Sequence, residues 1–297
     1  MKVLITGGCG FIARRLIQEL GDAHEVRLFD RVRPEDASFF GGPGGRTPMP
    51  FETDLPFFQG SITEPETVRP AVEGMDAIVH LAADPTGLAE NGVSIFRDNA
   101  LGTYVMLDEA RLAGVKRFLC ASSINAFGTF YWRISGRPVD WGSLPLTEAF
   151  KVVPEDPYSL SKWVNEETCA AFHRAYGITT AAFRFAGVLR DESYEQVKAS
   201  RGPAREWSPT LWQWVHVADV ARGIRQALEC ETLPGHGVYT LAAADTTALE
   251  PSMELLERFR PDLLAKLSRP LEGRESFLCT RRAREAFGYS PFMRLDP

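Results

Sequence analysis

Short apolar runs rich in β-branched residues alternate along this chain with longer stretches of helical period. Lys2–Thr6 (KVLIT) reads as a buried strand and Phe11–Leu20 as the helix after it. Glu25–Asp30 (EVRLFD) reads as a second strand, and 76–82 and 116–121 as two more. Between the last two, 91–113 has helical periodicity and stops at Gly114; Pro157–Tyr176 is a long helix closed by Gly177, and 178–185 follows as a strand. Strands separated by helices of this length predict βαβ units and a doubly wound parallel sheet. Two stretches break the pattern. Residues 41–50 (GGPGGRTPMP) read as a Gly- and Pro-rich loop. From Arg190 onward the alternation loosens into a polar segment through Pro209, a helix over Val217–Glu229, a strand near 238–241 and scattered helices beyond.

Composition adds mostly exclusions. The chain has 297 residues, 44% hydrophobic and 24% charged, which is ordinary globular usage. Lys plus Arg is 33 against 39 for Asp plus Glu, a net charge of −6 without a basic block, so neither nucleic acid nor a membrane is an expected partner. No apolar run approaches the ~18 residues that span a bilayer. The opening run is too short for a secretory signal, so a cytoplasmic protein is expected. Five scattered cysteines and five histidines show no C-x-x-C or H-E-x-x-H spacing, so no disulfide framework and no metal is expected.

Chemistry enters at the first strand–helix turn. KVLIT runs into Gly7-Gly8-Cys9-Gly10 and then a helix. Gly7 permits the tight turn, and Gly10 removes a side chain where backbone approaches a pyrophosphate, whose charge meets the free N–H groups of the helix N-terminus. Asp30 stands 20 positions after Gly10, at the end of the next strand. A carboxylate there accepts hydrogen bonds from a ribose hydroxyl and repels a 2′-phosphate, which favours NAD over NADP, although Arg31 and Arg33 follow closely.

A second constellation lies on the long helix. Tyr158 and Lys162 stand at i and i+4 on one face. A phenol ordinarily titrates near pH ~10, and a cation held close favours its ionised form, suiting it to take a proton from a substrate hydroxyl. Ser123, at the end of a strand, is placed to hydrogen-bond the oxygen that loses the proton.

With these residues the sequence resembles the extended short-chain dehydrogenase/reductases, the NAD-dependent epimerase/dehydratase family. The resemblance rests on TGGCGFIA (6–13), Asp30, HLAA (80–83), Asn99 with Gly102-Thr103, ASS (121–123), YSLSK (158–162) and WVHVADVA (214–221). It implies an NAD-binding Rossmann domain over 1–187, to which Val217–Glu229 and the strand near 238–241 return, and a mainly substrate-binding lobe over 188–297. It makes Tyr158 the base, Lys162 also a ligand of the nicotinamide ribose, and Ser123 the hydroxyl partner. Leu81, Ala82 and Ala83 would line the cofactor channel, with Asn99 behind the nicotinamide. Further cofactor contacts are implied at Phe11, Ile12 and Arg31, and at Ser61, Ile62, Ala121 and Phe185. Four positions depart from the family pattern: Ala13 for the third glycine, Gly60-Ser61 for Gly-Asp, Phe127 for tyrosine, and Ala186-Gly187-Val188 where an asparagine is frequent.

Sugar-nucleotide 4,6-dehydratases of the family this sequence resembles carry an acid directly beside the catalytic hydroxyl residue, since water elimination needs a second proton carrier. Ile124 and Asn125 stand there instead, which argues against a dehydratase. An epimerase acting on a nucleotide sugar and a one-way sugar or uronate dehydrogenase both remain. Arg201 and Arg205 suit a pyrophosphate clamp, whereas SSINAFG (122–128), with Asn125, resembles uronate dehydrogenases. Trp132, Trp141, Trp207, Trp212 and Trp214, with Phe130 and Tyr131, lie in segments expected to border a sugar, though each is also a candidate for packing. Trp163 is expected in the core. His216 and Asp219 suit a helix cap and anchor better than a proton relay, and His80 a buried structural role. A reading of another class is a dinucleotide-binding regulator or scaffold without turnover, but such members usually lose the tyrosine or lysine, and both are here. The family resemblance further implies a homodimer through 91–113 and 157–176.

Overall fold

The computed structural model describes residues 1–40, 45–87, 89–130 and 133–295. The chain opens with β1 (Lys2–Thr6), α1 (Phe11–Leu20) and β2 (Glu25–Asp30). The short strands β3 (Ser38–Phe40) and β4 (Arg46–Pro48) precede β5 (Phe57–Gln59), α2 (Pro65–Val72) and β6 (Ala77–His80). A helix then runs in three parts, α3 (Gly92–Phe96), a π-helical turn (Arg97–Leu101) and α4 (Gly102–Leu112), to β7 (Arg117–Ser123). Next come α5 (Pro157–Tyr176) and β8 (Thr179–Phe185). The chain leaves the sheet through β9 (Val188–Leu189), α6 (Asp191–Ser200) and β10 (Val215–His216), and returns with α7 (Val217–Glu229) and β11 (His236–Leu241). Helices α8 (Ser252–Phe259) and α9 (Arg281–Phe287) follow.

Seven strands form one parallel sheet in the order β11-β8-β7-β6-β1-β2-β5. Helices cover both faces, which is why β1, β6 and β7 are nearly continuous runs of buried residues. Successive side chains of a strand point to opposite faces. Val3 and Ile5 accordingly join Leu16 of α1 and Ile224 of α7 in one core, while Leu4 joins Val68 of α2, Leu107 of α4 and Phe172 of α5 in the other. Strand order reverses between β1 and β6, and in such sheets a crevice opens beyond the carboxyl ends of these two strands.

The doubly wound parallel sheet is the one the alternation predicts. Lys2–Thr6, Phe11–Leu20, Glu25–Asp30, Pro157–Tyr176 and Val217–Glu229 have the expected bounds. Differences arise where tertiary pairing decides. Strand β6 stops at His80, because the chain beyond must bend past Gly7, and β7 runs on to Ser123 because β8 pairs with it as far as Phe185. Within the expected 41–50 loop, Arg46–Pro48 pairs antiparallel with Ser38–Phe40; residues 41–44 lie outside the described residues. The polar segment after Arg190 contains α6, whose first turn carries Asp191 and Glu192 against the helix dipole. Trp163 is half-buried rather than fully in the core. His216 and Asp219 cap and anchor: the Ala218 N–H donates to His216 Nδ1 at 3.2 Å, and the Asp219 carboxylate accepts from the N–H groups of Phe292 (2.9 Å) and Met293 (3.2 Å).

His80 is buried between two threonines. Thr103 Oγ1 gives its proton to the Asn99 carbonyl (2.8 Å), so it accepts from His80 Nε2 (3.2 Å). Nδ1 then accepts from the Thr6 hydroxyl at 2.8 Å. The ring is the neutral Nε2–H tautomer, and burial, with the nearby Lys162 cation, pushes its pKa down to about 3. The unfolded chain binds this proton from pH ~6.5 downward while the folded protein does not until about 3. Stability from this group is therefore full above pH ~6.5 and falls as pH drops toward about 3, by an amount on the order of a few kcal/mol. Denaturant unfolding between pH 4.5 and 7 should show this slope, and His80→Gln should flatten it. The flattening should be partial, because His236, held down to about 4 by burial, titrates in the same window.

Candidate active site

β1 ends in a turn that only glycine permits. Gly7 has φ +66°, and a Cβ there would stand 2.8 Å from the Ala82 backbone nitrogen. The Gly10 N–H donates to the Gly7 carbonyl at 2.8 Å and closes the turn. Gly10 is the N-cap of α1, and no side chain caps the helix, so the first-turn N–H groups at Phe11, Ile12 and Ala13 are left to a ligand or solvent. A Cβ at Gly10 would meet only Gly7 O, at 3.1 Å, and would otherwise occupy the cradle in front of these amides. Asp30 ties the end of β2 to the turn: its carboxylate accepts from the N–H groups of Cys9 (3.0 Å) and Val32 (3.2 Å).

From this turn a cavity of about 340 Å³ extends along the carboxyl ends of the strands. Gly7, Gly10, Phe11 and Ile12 line its first part. Asp30 and Arg31, with Ser61 and Ile62 beyond β5, line one flank. Leu81, Ala82 and Ala83 line the middle, and Ala121, Tyr158, Lys162 and Phe185 the far end. Helix-terminal amides, a carboxylate at ribose distance along the chain, and an apolar channel are the donor set a dinucleotide such as NAD requires. Asn99 does not line the cavity. It lies buried in the π-turn, where Oδ1 accepts from the Asp84 N–H (2.7 Å) and Nδ2 donates to the Asp84 carbonyl and Ser161 Oγ (both 3.0 Å). It thereby pins the segment after β6 to α5.

The far end holds the reactive groups. Asp156 caps α5 by accepting from the Ser159 N–H at 2.9 Å, which sets Tyr158 in the first turn. Tyr158 is hydrogen-bonded to Ser123. Lys162 is buried; its Nζ donates to the Ala121 carbonyl at 2.8 Å and lies 5.6 Å from the Tyr158 ring centroid. Burial pushes the Tyr158 phenol up to about 12, with the Asp156 and Asp84 charges adding to it and the Ser123 bond opposing it. The lysine thus does not lower this phenol as its sequence spacing suggests, because its ammonium is turned to a backbone carbonyl and burial dominates. Burial also lowers Lys162, against the opposing pull of Cys120 and Glu166.

Behind these groups lies a contact the sequence reading missed. Glu166, one turn beyond Lys162, accepts two bonds from Arg184 of β8 (2.8 and 2.7 Å) and one from the Ser122 hydroxyl (2.6 Å). The Arg184 guanidinium lies 4.4 Å from the Phe127 ring centroid, at the position where the family usually shows tyrosine. Sequence offered only the i+4 spacing from Lys162 as a signal. It offered none for Ser38, Phe39 and Arg46 of the β3–β4 pair, which also line the cavity.

The substrate candidates are more scattered. Asn125 is buried, its N–H bonded to Ser123 Oγ at 3.1 Å and its Oδ1 without a hydrogen-bond partner. Arg201 ends α6 with Nε and Nη1 buried and unpartnered, and Arg205 is exposed. Trp214 is buried against Tyr194, ring centroids 5.8 Å apart. None of the four lines the cavity. Trp207 and Trp212 pack edge to face at 5.2 Å and Phe130 meets Trp141 at 6.0 Å, while Tyr131 and Trp132 lie outside the described residues. Among the described residues no cluster of His, Cys, Asp or Glu is arranged to hold a metal, and no helix is long and apolar enough to cross a membrane.

The profile of the NAD dependent epimerase/dehydratase family matches residues 3–242. The dTDP-glucose 4,6-dehydratase of Streptomyces niveus is 25% identical to this chain, over 77% of it and 69% of its own length. The NAD-dependent glucose-6-phosphate dehydrogenase of Haloferax volcanii is 29% identical, over 66% of this chain and 73% of its own. Among solved structures, the Thermus thermophilus UDP-glucose 4-epimerase in complex with NAD aligns with a TM-score of 0.66 and 23% identity, over 98% of this chain and 94% of that one. This last likeness is one of fold.

Removing one member of the buried Glu166–Arg184 pair leaves an uncompensated charge inside the protein. Glu166→Ala should therefore lower the unfolding free energy by about 3–5 kcal/mol, and joint replacement of both by apolar residues of similar size by much less. Chemical denaturation of the three proteins checks this.

Proposed function

Because this chain belongs to the NAD dependent epimerase/dehydratase family, we propose that it is an NAD-dependent enzyme acting at a secondary alcohol or ketone carbon of a sugar or nucleotide sugar. The observation that carries this reading is the Ser123–Tyr158–Lys162 constellation, whose half-buried Tyr158 and buried Lys162 line one end of a cavity that has the glycine turn at its other end. Bound NAD supplies the hydride acceptor. Phe11, Ile12 and Ala13 offer amides to its pyrophosphate, Asp30 a carboxylate to its ribose, and Leu81 to Ala83 an apolar wall. Asp30 disfavours a 2′-phosphate and hence NADP. Tyr158 takes the proton of the substrate hydroxyl, Ser123 holds that oxygen, and Lys162, its ammonium held at the Ala121 carbonyl, is placed toward the ribose of the nicotinamide half. Since the phenol starts from about 12, proton removal by Tyr158 becomes easier as pH rises.

Whether the product leaves oxidised or returns reduced from the other face separates two readings. Epimerisation of a nucleotide sugar is the first. A one-way sugar or uronate dehydrogenase is the second, favoured by the resemblance to the NAD-dependent glucose-6-phosphate dehydrogenase and by Arg201 and Arg205 lying away from the cavity. A non-catalytic dinucleotide-binding role fits less well, since Ser123, Tyr158 and Lys162 are all in place.

We also propose a homodimer through the helices 92–112 and 157–176. Leu101, Tyr104 and Leu112 on the first and Leu160 and Tyr176 on the second are exposed large apolar residues, and the two helices pack side by side.

Tyr158→Phe should cost about 10²–10⁴-fold in rate and leave dinucleotide affinity nearly unchanged; undiminished turnover would overturn the assignment. A sugar panel followed at the reduced-nicotinamide absorbance band separates the two reactions. Net NADH formation marks the dehydrogenase, and conversion without absorbance change marks the epimerase. Sedimentation should give twice the 33.0 kDa chain mass, and Tyr104→Glu with Leu112→Glu should reduce it to the monomer.

A further inference from the structure

Between β2 and β5 the chain makes an excursion that no strand of the central sheet uses, and its paired strands β3 and β4 reach the dinucleotide cavity. Ser38, Phe39 and Arg46 line it together with Gly10, Asp30 and Arg31. Phe39 pairs with Thr47 across the two strands. Arg46 spends Nε on Ser38 Oγ (2.9 Å) and Nη2 on the Ser38 carbonyl (3.1 Å), which sets the plane of its guanidinium. No carboxylate among the described residues makes an ion pair with it. A cation lining the same cavity as the uncapped amides of α1 suits an anionic ligand.

The excursion is fastened from both lobes. On one side Arg14 of α1 donates to the carbonyls of Cys9 (3.2 Å) and Met49, and its guanidinium lies 4.1 Å from the Phe51 ring centroid. The Met49 N–H donates to the Ala37 carbonyl at 2.7 Å and the Phe51 N–H to the Pro34 carbonyl at 3.1 Å, closing the base. On the other side Arg190, the residue between β9 and α6, lays its guanidinium 3.8 Å from the Phe39 ring centroid. This is contact distance for a cation on a ring face, and it joins the excursion to the segment expected to bind substrate.

We infer that the β3–β4 pair is a clasp on the adenosine diphosphate half of the dinucleotide, with Phe39 and Arg46 as its contacts and Arg190 as the latch that holds Phe39 in place. The inference rests on the dinucleotide reading of the cavity and adds to it a route by which the second lobe governs how fast the dinucleotide leaves. A slow departure suits an enzyme whose cofactor is reduced and reoxidised without exchange.

The test uses NADH, displaced by excess NAD in stopped-flow fluorescence, and ADP, titrated at equilibrium. Arg190→Ala should speed NADH dissociation about five- to tenfold, the scale of one such contact, and weaken ADP by a similar factor. Phe39→Ser should do the same, Phe39→Tyr, which keeps a ring face, should restore slow dissociation, and the double variant Phe39→Ser/Arg190→Ala should release NADH no faster than either single one. Off-rates within twofold of the unaltered protein in both single variants, or additive effects in the double variant, would overturn the latch. Failure of the unaltered protein to bind either NADH or ADP would overturn the dinucleotide reading itself, and the clasp with it.

Discussion

Glu166 and Arg184 meet inside the protein, where neither charge is tolerable alone. Their bidentate contact, with the Ser122 hydroxyl on the same carboxylate, ties α5 to β7 and β8 at one height. Lys162 lies one turn before Glu166 and Tyr158 one turn before that, so the helix cannot slide or rotate without breaking a buried ion pair. The Lys162 bond to the Ala121 carbonyl adds a second tie to β7. The positions of Tyr158 and Lys162 relative to Ser123 are thus set by a contact whose two charged members, Glu166 and Arg184, do not themselves line the cavity.

A neutral network does the corresponding work at the sheet's switch point. Thr6, His80, Thr103 and Asn99 form a hydrogen-bonded chain from the end of β1 to the π-turn, and Asn99 continues it to Asp84 and Ser161. Each buried polar group has its partner, which is the condition for a polar core to stiffen a fold rather than weaken it. The π-turn opens the helix where Asn99 is needed, a place where such turns often occur. This network joins the glycine turn, the segment after β6 and the helix of the reactive tyrosine.

The rest of the chain is fastened to this frame by local devices. Asp219 holds the segment at Phe292 and Met293 through two backbone amides, although burial raises its own pKa to about 6. Trp207, Trp212 and Trp214, in the segment expected to border a sugar, are engaged with other aromatic rings. A sugar-facing role for any of them therefore competes with packing already in place.

The sequence by itself determined the parallel sheet, the glycine turn, Asp30 at the end of β2 and the i, i+4 pair Tyr158–Lys162. Each of these follows from a local rule: hydrophobic period, a φ only glycine tolerates, or spacing on one helix. What only the tertiary structure decided depends on residues far apart in sequence. Glu166 finds Arg184 across 18 residues, Phe39 finds Arg190 across about 150, and Asn99 turns toward Asp84 instead of the cavity. Whether a lysine lowers a tyrosine's pKa likewise depends on where the ammonium points and how much water remains. Such contacts are chosen by the competition among buried groups for partners, and no single stretch of chain contains both competitors.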